Sequence, residues 1–372
     1  MRNFKILLFI LCLGILVSCS QNKSNIKEKE LNSTYTELKL DYENYYMAST
    51  SNNKMYLPVS DNTKERLPNK LLAYNFSNQT EETIFHSKMG SEANIQGVHA
   101  NEKWLLWMDT NAIGSKTILY AKNLSNDKEN QIHKTNEIIE PYLYNHYVSW
   151  MEINEGQKNA DIILYDLETN TKTKIDTVQS YDTASTALHM NEDKLVYTNS
   201  TEKQTTISTY SLKNKNINKY VVPQNNVLAP KIVGNKIVYV SLSNDEKTSE
   251  NSIESYFILD MDSKQVTPLS IEGVNTQQGD GIGSMSATMN YWAFRTDNQK
   301  IWVYQFNKDS YKKIKLDIPN AFQLRMSENG DTNIICDNSN TFPEKVHDSI
   351  VSVSYDKLKS EFQNKKTESY IN

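Results

Sequence analysis

An apolar-aromatic run returns along this chain about every 45 residues, and few folds accept a repeat of that length. Counting from Tyr74, Tyr120, Tyr165, Tyr210, Leu259, Tyr304 and Val353, the steps are 46, 45, 45, 49, 45 and 49 residues. Each run alternates β-branched or aromatic residues with polar ones, as in Ile162-Ile163-Leu164-Tyr165 and Ile301-Trp302-Val303-Tyr304. A period of two marks strands that bury one face, not helices. A second set of strands precedes these, ending in Trp107, Trp150, Tyr197, Tyr239, Phe294 and Ile335, with Leu57 as an earlier member. About four strands per 45-residue unit is the pattern of a β-propeller blade. The expected fold class is therefore all-β: a seven-bladed propeller of four-stranded antiparallel blades, with six or eight blades as the neighbouring counts.

One copy shows the unit in full. Glu140 to Tyr144 reads as the inner strand, Asn145-His146 as a turn, and Tyr147 to Met151 as the second strand. The third strand is Asp161 to Leu167, and Glu168-Thr169-Asn170 turns into the outer strand Lys172 to Ile175. The pattern strand, tight turn, aromatic strand, loop, I-x-x-Y-D-L-x-T, turn, K-x-x-I resembles the TolB-like propeller repeats of bacterial exported proteins over residues 45–355. In place of the S-P-D-G turn of those repeats the chain has Asn101-Glu102-Lys103, Asn191-Glu192-Asp193 and Gly234-Asn235-Lys236. The resemblance implies a fold, and with it a role as accessory subunit of an envelope complex. Propellers host many unrelated activities.

The two ends of the domain are unequal. Tyr35 to Tyr42 alternates like a strand but has no blade of its own, since Tyr45 to Thr50 already begins the first. Pairing it with the last blade (Phe322 to Met326, Asn333 to Cys336, Ser349 to Tyr355) closes the ring and covers an exposed edge. The domain is thus expected over residues 35–356. Residues 357–372 read as a polar tail, either a short helix or frayed chain.

The first 18 residues have the layout of a secretory signal. Arg2 and Lys5 precede the apolar run Ile6 to Leu16, which is short of the ~20 residues that a membrane span needs. Leu16-Val17-Ser18-Cys19 then resembles the lipobox of bacterial lipoproteins. The resemblance implies cleavage before Cys19, diacylglycerol on its thiol and acylation of the new N-terminus, hence a protein tethered to the cell membrane and facing outside the cytoplasm. The alternative is an ordinary signal peptide that happens to contain a cysteine. Residues 19–34 are polar and charged, too poor in apolar surface to order themselves, and read as a flexible stalk. Removing the signal leaves 38 basic against 45 acidic residues, a formal charge of −7, which is the wrong sign for a nucleic-acid partner. Cys12 leaves with the signal and Cys19 takes lipid, so Cys336 stands alone and no internal disulfide forms.

Where such a protein would act is less sharply written. Blades pack face to face, so Trp107, Trp150, Trp292 and Trp302 are expected in the core. Ligands meet a propeller at its loops. The turns joining first to second and third to fourth strands are short, whereas those joining second to third strands and blade to blade vary: Ser60 to Asn69, Asp109 to Lys116, Glu152 to Ala160, Ser241 to Ser255, Ser270 to Ser284 and Asn338 to Asp348. Length variation on one face marks a binding face. Two positions after the repeated aromatic come Asp109, Glu152, Asn199, Ser241, Thr296 and Asp337. Asp109, Glu152 and Asp337 could form an acidic rim that attracts a cation or a basic segment; the competing account is that strand ends favour solvated polar residues. His99 and His189 occupy equivalent positions two blades apart, which is too few ligands for a metal. No G-x-S-x-G, H-E-x-x-H or Asp-box motif is present, and neither catalytic residue nor cofactor is expected. The leading expectation is a monomeric binding or scaffolding lipoprotein engaging a protein or glycan partner. The alternative is a lyase or hydrolase acting on cell-wall or extracellular polysaccharide, whose carboxylates would be assembled across blades.

Overall fold

The computed structural model describes residues 27–31, 35–42, 45–60, 67–137, 139–154, 159–179, 188–200, 204–244, 252–271, 274, 281–337 and 349–369. Each repeat forms one antiparallel sheet, and seven sheets make the ring. Blades 1 to 6 span residues 49–86, 93–135, 142–178, 189–222, 227–268 and 282–316. Blade 7 is built from Ala321–Met326, Thr332–Cys336, Ser349–Val353 and, from the other end of the chain, Tyr35–Lys39. Inner and second strands are joined by two residues in five blades: Asn52-Asn53, Asn145-His146, Glu192-Asp193, Gly234-Asn235 and Met289-Asn290. Such a turn matches strand twist when its central residues take positive φ. Asn52 and Asn53 do so at 51° and 58°, and Glu192 and Asp193 at 50° and 53°.

Ring closure follows the expectation. Thr36, Glu37 and Leu38 pair antiparallel with Ser352, Val351 and Ile350. Lys27–Leu31, read from the sequence as part of the stalk, instead pairs with Tyr35–Lys39 as a further strand outside, a hairpin that joins the last blade's sheet. Leu38 is enclosed and packs with Leu40 and Ile350 against Tyr45, Met55 and Leu57 of blade 1. On the channel side, Ser327 of blade 7 receives the Thr50 amide at 2.8 Å and the Asn333 side-chain amide donates to the Thr50 hydroxyl at 3.2 Å, tying first and last repeats together.

The core consists of seven apolar clusters, and each lies between two neighbouring blades. Tyr56, Leu71 and Phe85 of blade 1 meet Val98, Leu105 and Trp107 of blade 2; Leu106 and Leu119 of blade 2 meet Val148 and Trp150 of blade 3. Trp107, Trp150 and Trp292 are fully buried and Trp302 nearly so, as the packing reading of the repeat requires. Truncating one such aromatic costs ~3–5 kcal/mol in lost burial and cavity formation.

The C-terminal segment takes the short-helix alternative of the expected polar tail, and the helix is docked on the blades. The third strand of blade 7 stops at Val353, because Ser354 caps a helix by accepting the Lys357 amide. Within helix α1 (Tyr355–Gln363), Leu358 and Phe362 lie four residues apart on one face, and both are buried against Tyr291, Ile314 and Leu316. Two apolar residues at that spacing suffice to dock a nine-residue helix. The chain then returns to blade 6, where Ser310 and Tyr311 pair with Ser369 and Glu368. Lys313 meets Glu368 at 3.1 Å. Gly330 makes room for the helix: its φ is +93°, and a Cβ there would strike the Tyr355 ring.

Candidate functional site

The long-loop face and the central channel are the places where chemistry gathers. On the face, the recurring polar position at the end of the second strand has a structural task in three blades. Asp109 is fully buried, accepting the Ser87 hydroxyl at 2.5 Å and the Lys88 amide at 2.9 Å, so it holds the connection from blade 1. Burial raises its carboxyl pKa, and the hydrogen bonds from Ser87 and Lys88 counter that rise in part. Asn199 likewise accepts the Gln179 amide at 3.0 Å, and Ser241 donates to the Asn225 carbonyl at 2.7 Å. Glu152 is engaged differently: it accepts Trp150 Nε1 at 2.9 Å and Lys172 Nζ at 2.5 Å, with His133 Nε2 at 3.5 Å. Burial opposes ionisation of Glu152, but the hydrogen bonds from Lys172 and Trp150 outweigh it and hold the pKa below the usual value. Asp337 is half-buried, and its amide donates to the Asn320 carbonyl at 2.8 Å. The three carboxylates stand on blades 2, 3 and 7, each tied to its own surroundings. Of the long loops, residues 61–66, 155–158, 245–251, 272–273, 275–280 and 338–348 lie outside the described residues, as does Cys19.

The same face carries the exposed apolar side chains. Strand direction places second-strand ends, fourth-strand ends and inner-strand starts there. Ile113 lies in a second-to-third loop and is 79% exposed, and Ile153 ends the second strand of blade 3. Val221, 64% exposed, is near the end of the outer strand of blade 4, and Phe322 is near the start of the inner strand of blade 7. These are the exposed large apolar residues among the described ones, and all four fall on the long-loop face.

The channel is polar and closes toward the short-turn face. The turn after the inner strand of blade 7, Ser327 to Asp331, is longer than its counterparts and lays Glu328 across the opening. The Glu328 carboxylate accepts Asn101 Nδ2 at 2.9 Å and the Asn145 amide at 3.1 Å, from blades 2 and 3. Burial raises its pKa, partly offset by those bonds. The space left beside Ser49, His99, Tyr142 and Glu328 is about 10 Å³, roughly room for one water. Above this plug, His99, Tyr142 and His189 form a row of rings, the first pair tilted and the second edge-on, with centroids 5.0 and 4.9 Å apart. His189 accepts the Ile232 amide on Nδ1 at 3.1 Å and has Nε2 3.0 Å from the Ala287 carbonyl. A carbonyl only accepts, so Nε2 carries the proton and the ring is neutral. Burial, then the charge of Lys231, lowers its pKa to about 3. His99 is also held neutral, by burial and then by the nearby charges of Arg325 and Lys231.

Sequence reasoning found the two histidines as register equivalents but not Tyr142, Lys231, Arg325 or Glu328. One signal was present: the chain holds four arginines against 36 lysines, so an arginine within an inner strand stands out. Lys231 follows a register shift between Leu228 and Lys231, which no periodicity would reveal. Among the described residues no group of three or more His, Cys, Asp or Glu side chains is arranged to hold a metal ion.

No protein-family model matches the sequence, and no curated protein does. Solved structures do match. The β-propeller domain of the Trilobed protease from Pyrococcus furiosus is similar at 10% identity and a TM-score of 0.55, covering 89% of this chain and 96% of that one. Hydrazine synthase of Kuenenia stuttgartiensis matches at 9% identity and a TM-score of 0.52, covering 85% and 97%. TolB from Acinetobacter baumannii is among the neighbours at 11% identity, covering 82% and 78%, but its TM-score of 0.39 is too low to argue from. These likenesses are of fold alone.

Proposed function

We propose that this chain is a membrane-tethered extracytoplasmic binding or scaffolding protein that engages a protein partner through the long-loop face of its propeller. The observation that carries the reading is that Ile113, Ile153, Val221 and Phe322, the exposed large apolar residues among the described ones, all lie at the long-loop end of their blades. Singly exposed apolar residues are ordinary, but their confinement to one face is the arrangement of an interaction surface. The opposite face supplies two-residue turns dominated by Asn, Asp and Glu. Tethering is supported by the cationic start, the short apolar run and Cys19.

Photo-crosslinking in cells tests the reading. A benzophenone side chain at position 113, 153, 221 or 322 should trap a common partner, while the same group at 145 or 192 should trap none. Equal labelling from both faces would overturn it. Membrane fractionation of Cys19→Ala tests the tether separately: the variant should be unprocessed or shed.

A further inference from the structure

Above the Glu328 plug, the channel gathers hydrogen-bond donors that are left unused among the described residues. Lys231 enters from blade 5 and forms no hydrogen bond or ion pair within 4 Å among the described residues; it is half-buried. Arg325 enters from blade 7 and spans blade 1, donating through Nη1 to the Val98 carbonyl of blade 2. A guanidinium has five N–H donors, and among the described residues that bond is the one it makes. The Tyr142 hydroxyl, from blade 3, has no hydrogen-bond partner among them either, although its ring is packed between the two histidines. These groups share one level of the channel: Tyr142, Lys231 and Arg325 each lie two or three residues before the turn that ends their inner strand, and the charge of Arg325 acts on both Lys231 and Tyr142.

The charge balance at this level runs against the rest of the molecule. The chain is acidic, with a formal net charge of −5, yet the channel wall presents two cations. The groups facing Lys231 are Arg325, His99, His189 and Glu140. Both histidines are neutral. Glu140 is exposed at the start of blade 3, on the long-loop side, and forms no ion pair with either cation among the described residues. Burying a charge without an ion-pair partner is costly; Lys231 and Arg325, which have no such partner among the described residues, stand at one level of the channel with the Tyr142 hydroxyl and make the donor set of an anion site. Glu328, Asn101 and Asn145 close the far end, so the approach is from the long-loop face.

We propose that the channel binds a small oxyanion, a carboxylate or phosphate group, held by Lys231, the Arg325 guanidinium and the Tyr142 hydroxyl. The site belongs to the channel and is independent of whether the outer loops engage a protein. His99 and His189 form its neutral wall, and His189 fixes the inner strands around it through Ile232 and Ala287.

Calorimetric titration of the full chain at pH 7 in chloride buffer, with inorganic phosphate and succinate as separate probes, tests this. Saturable binding of one of them is expected, and which one binds identifies phosphate or carboxylate as the natural head group. Lys231→Met should weaken binding about tenfold or more, and Tyr142→Phe should weaken it less. Wild-type affinity should fall as pH rises from 7 to 9, because Lys231 loses its proton near pH 8, and Lys231→Met should show no such fall. Circular dichroism establishes that each variant is folded. No saturable binding of either probe at millimolar concentration, or equal binding by folded Lys231→Met, would overturn the proposal; so would binding that ignores pH in the wild type.

Discussion

Replacing Lys231 with methionine should make the protein more stable. The ammonium group is half-enclosed by the channel wall, where burial is the largest influence on it and the Glu140 charge only partly compensates, so its pKa falls from 10.5 to about 8. At about 1.36 kcal/mol per unit, that depression corresponds to at most about 3 kcal/mol of folded-state penalty at neutral pH. Channel water screens part of it, which leaves about 1–3 kcal/mol for methionine to relieve. The sign follows from proton counting. Between pH 8 and 10.5 the unfolded chain holds the Lys231 proton and the folded chain does not, so wild-type stability gains with rising pH across that window. Below pH 8 the penalty is present in full. Urea unfolding of both proteins in phosphate-free buffer at pH 7 and pH 10.5 reads it directly. The variant should be more stable at pH 7, and the gap should close by pH 10.5, with the other ionisable groups cancelling between the two proteins. A variant less stable at pH 7, or a gap unchanged between the two pH values, would refute the view of Lys231 as an uncompensated channel cation.

Three further outcomes are expected. Leu38→Asp places a charge where the closing strand meets blade 1; it should lower the melting temperature of the whole domain in one transition, by differential scanning calorimetry, because an unpaired buried charge is costly. Phe362→Ala should cost ~3–5 kcal/mol in chemical denaturation, since the ring is buried against blade 6, whereas a frayed tail would tolerate the change. Acidification should destabilise the domain as pH falls below 6.5: His189, with its pKa near 3, stays neutral in the fold while the unfolded chain takes up a proton, so its contribution is present above 6.5 and lost progressively below. Melting temperatures from pH 7 to pH 4 should show that slope, reduced in His189→Leu after correction for that variant's lower starting stability.

The sequence by itself determined the architecture. Strand periodicity and a 45-residue repeat are local, additive properties, so the seven blades, the buried tryptophans and the closing strand at Tyr35 to Lys39 could all be read before any coordinates. It left the last residues open between a short helix and frayed chain, because Leu358 and Phe362 in a lysine-rich stretch look unremarkable until blades 6 and 7 offer a surface for them. The channel was decided by tertiary structure. Tyr142, Lys231, Arg325 and Glu328 are separated by up to 186 positions in sequence and meet because a closed ring turns one strand of every blade toward a common axis. Asp109 shows the same lesson in reverse. Its register matched that of Glu152, but burial and the Lys88 amide made it a fastening between blades, since what a carboxylate does depends on what the fold places within 3 Å of it.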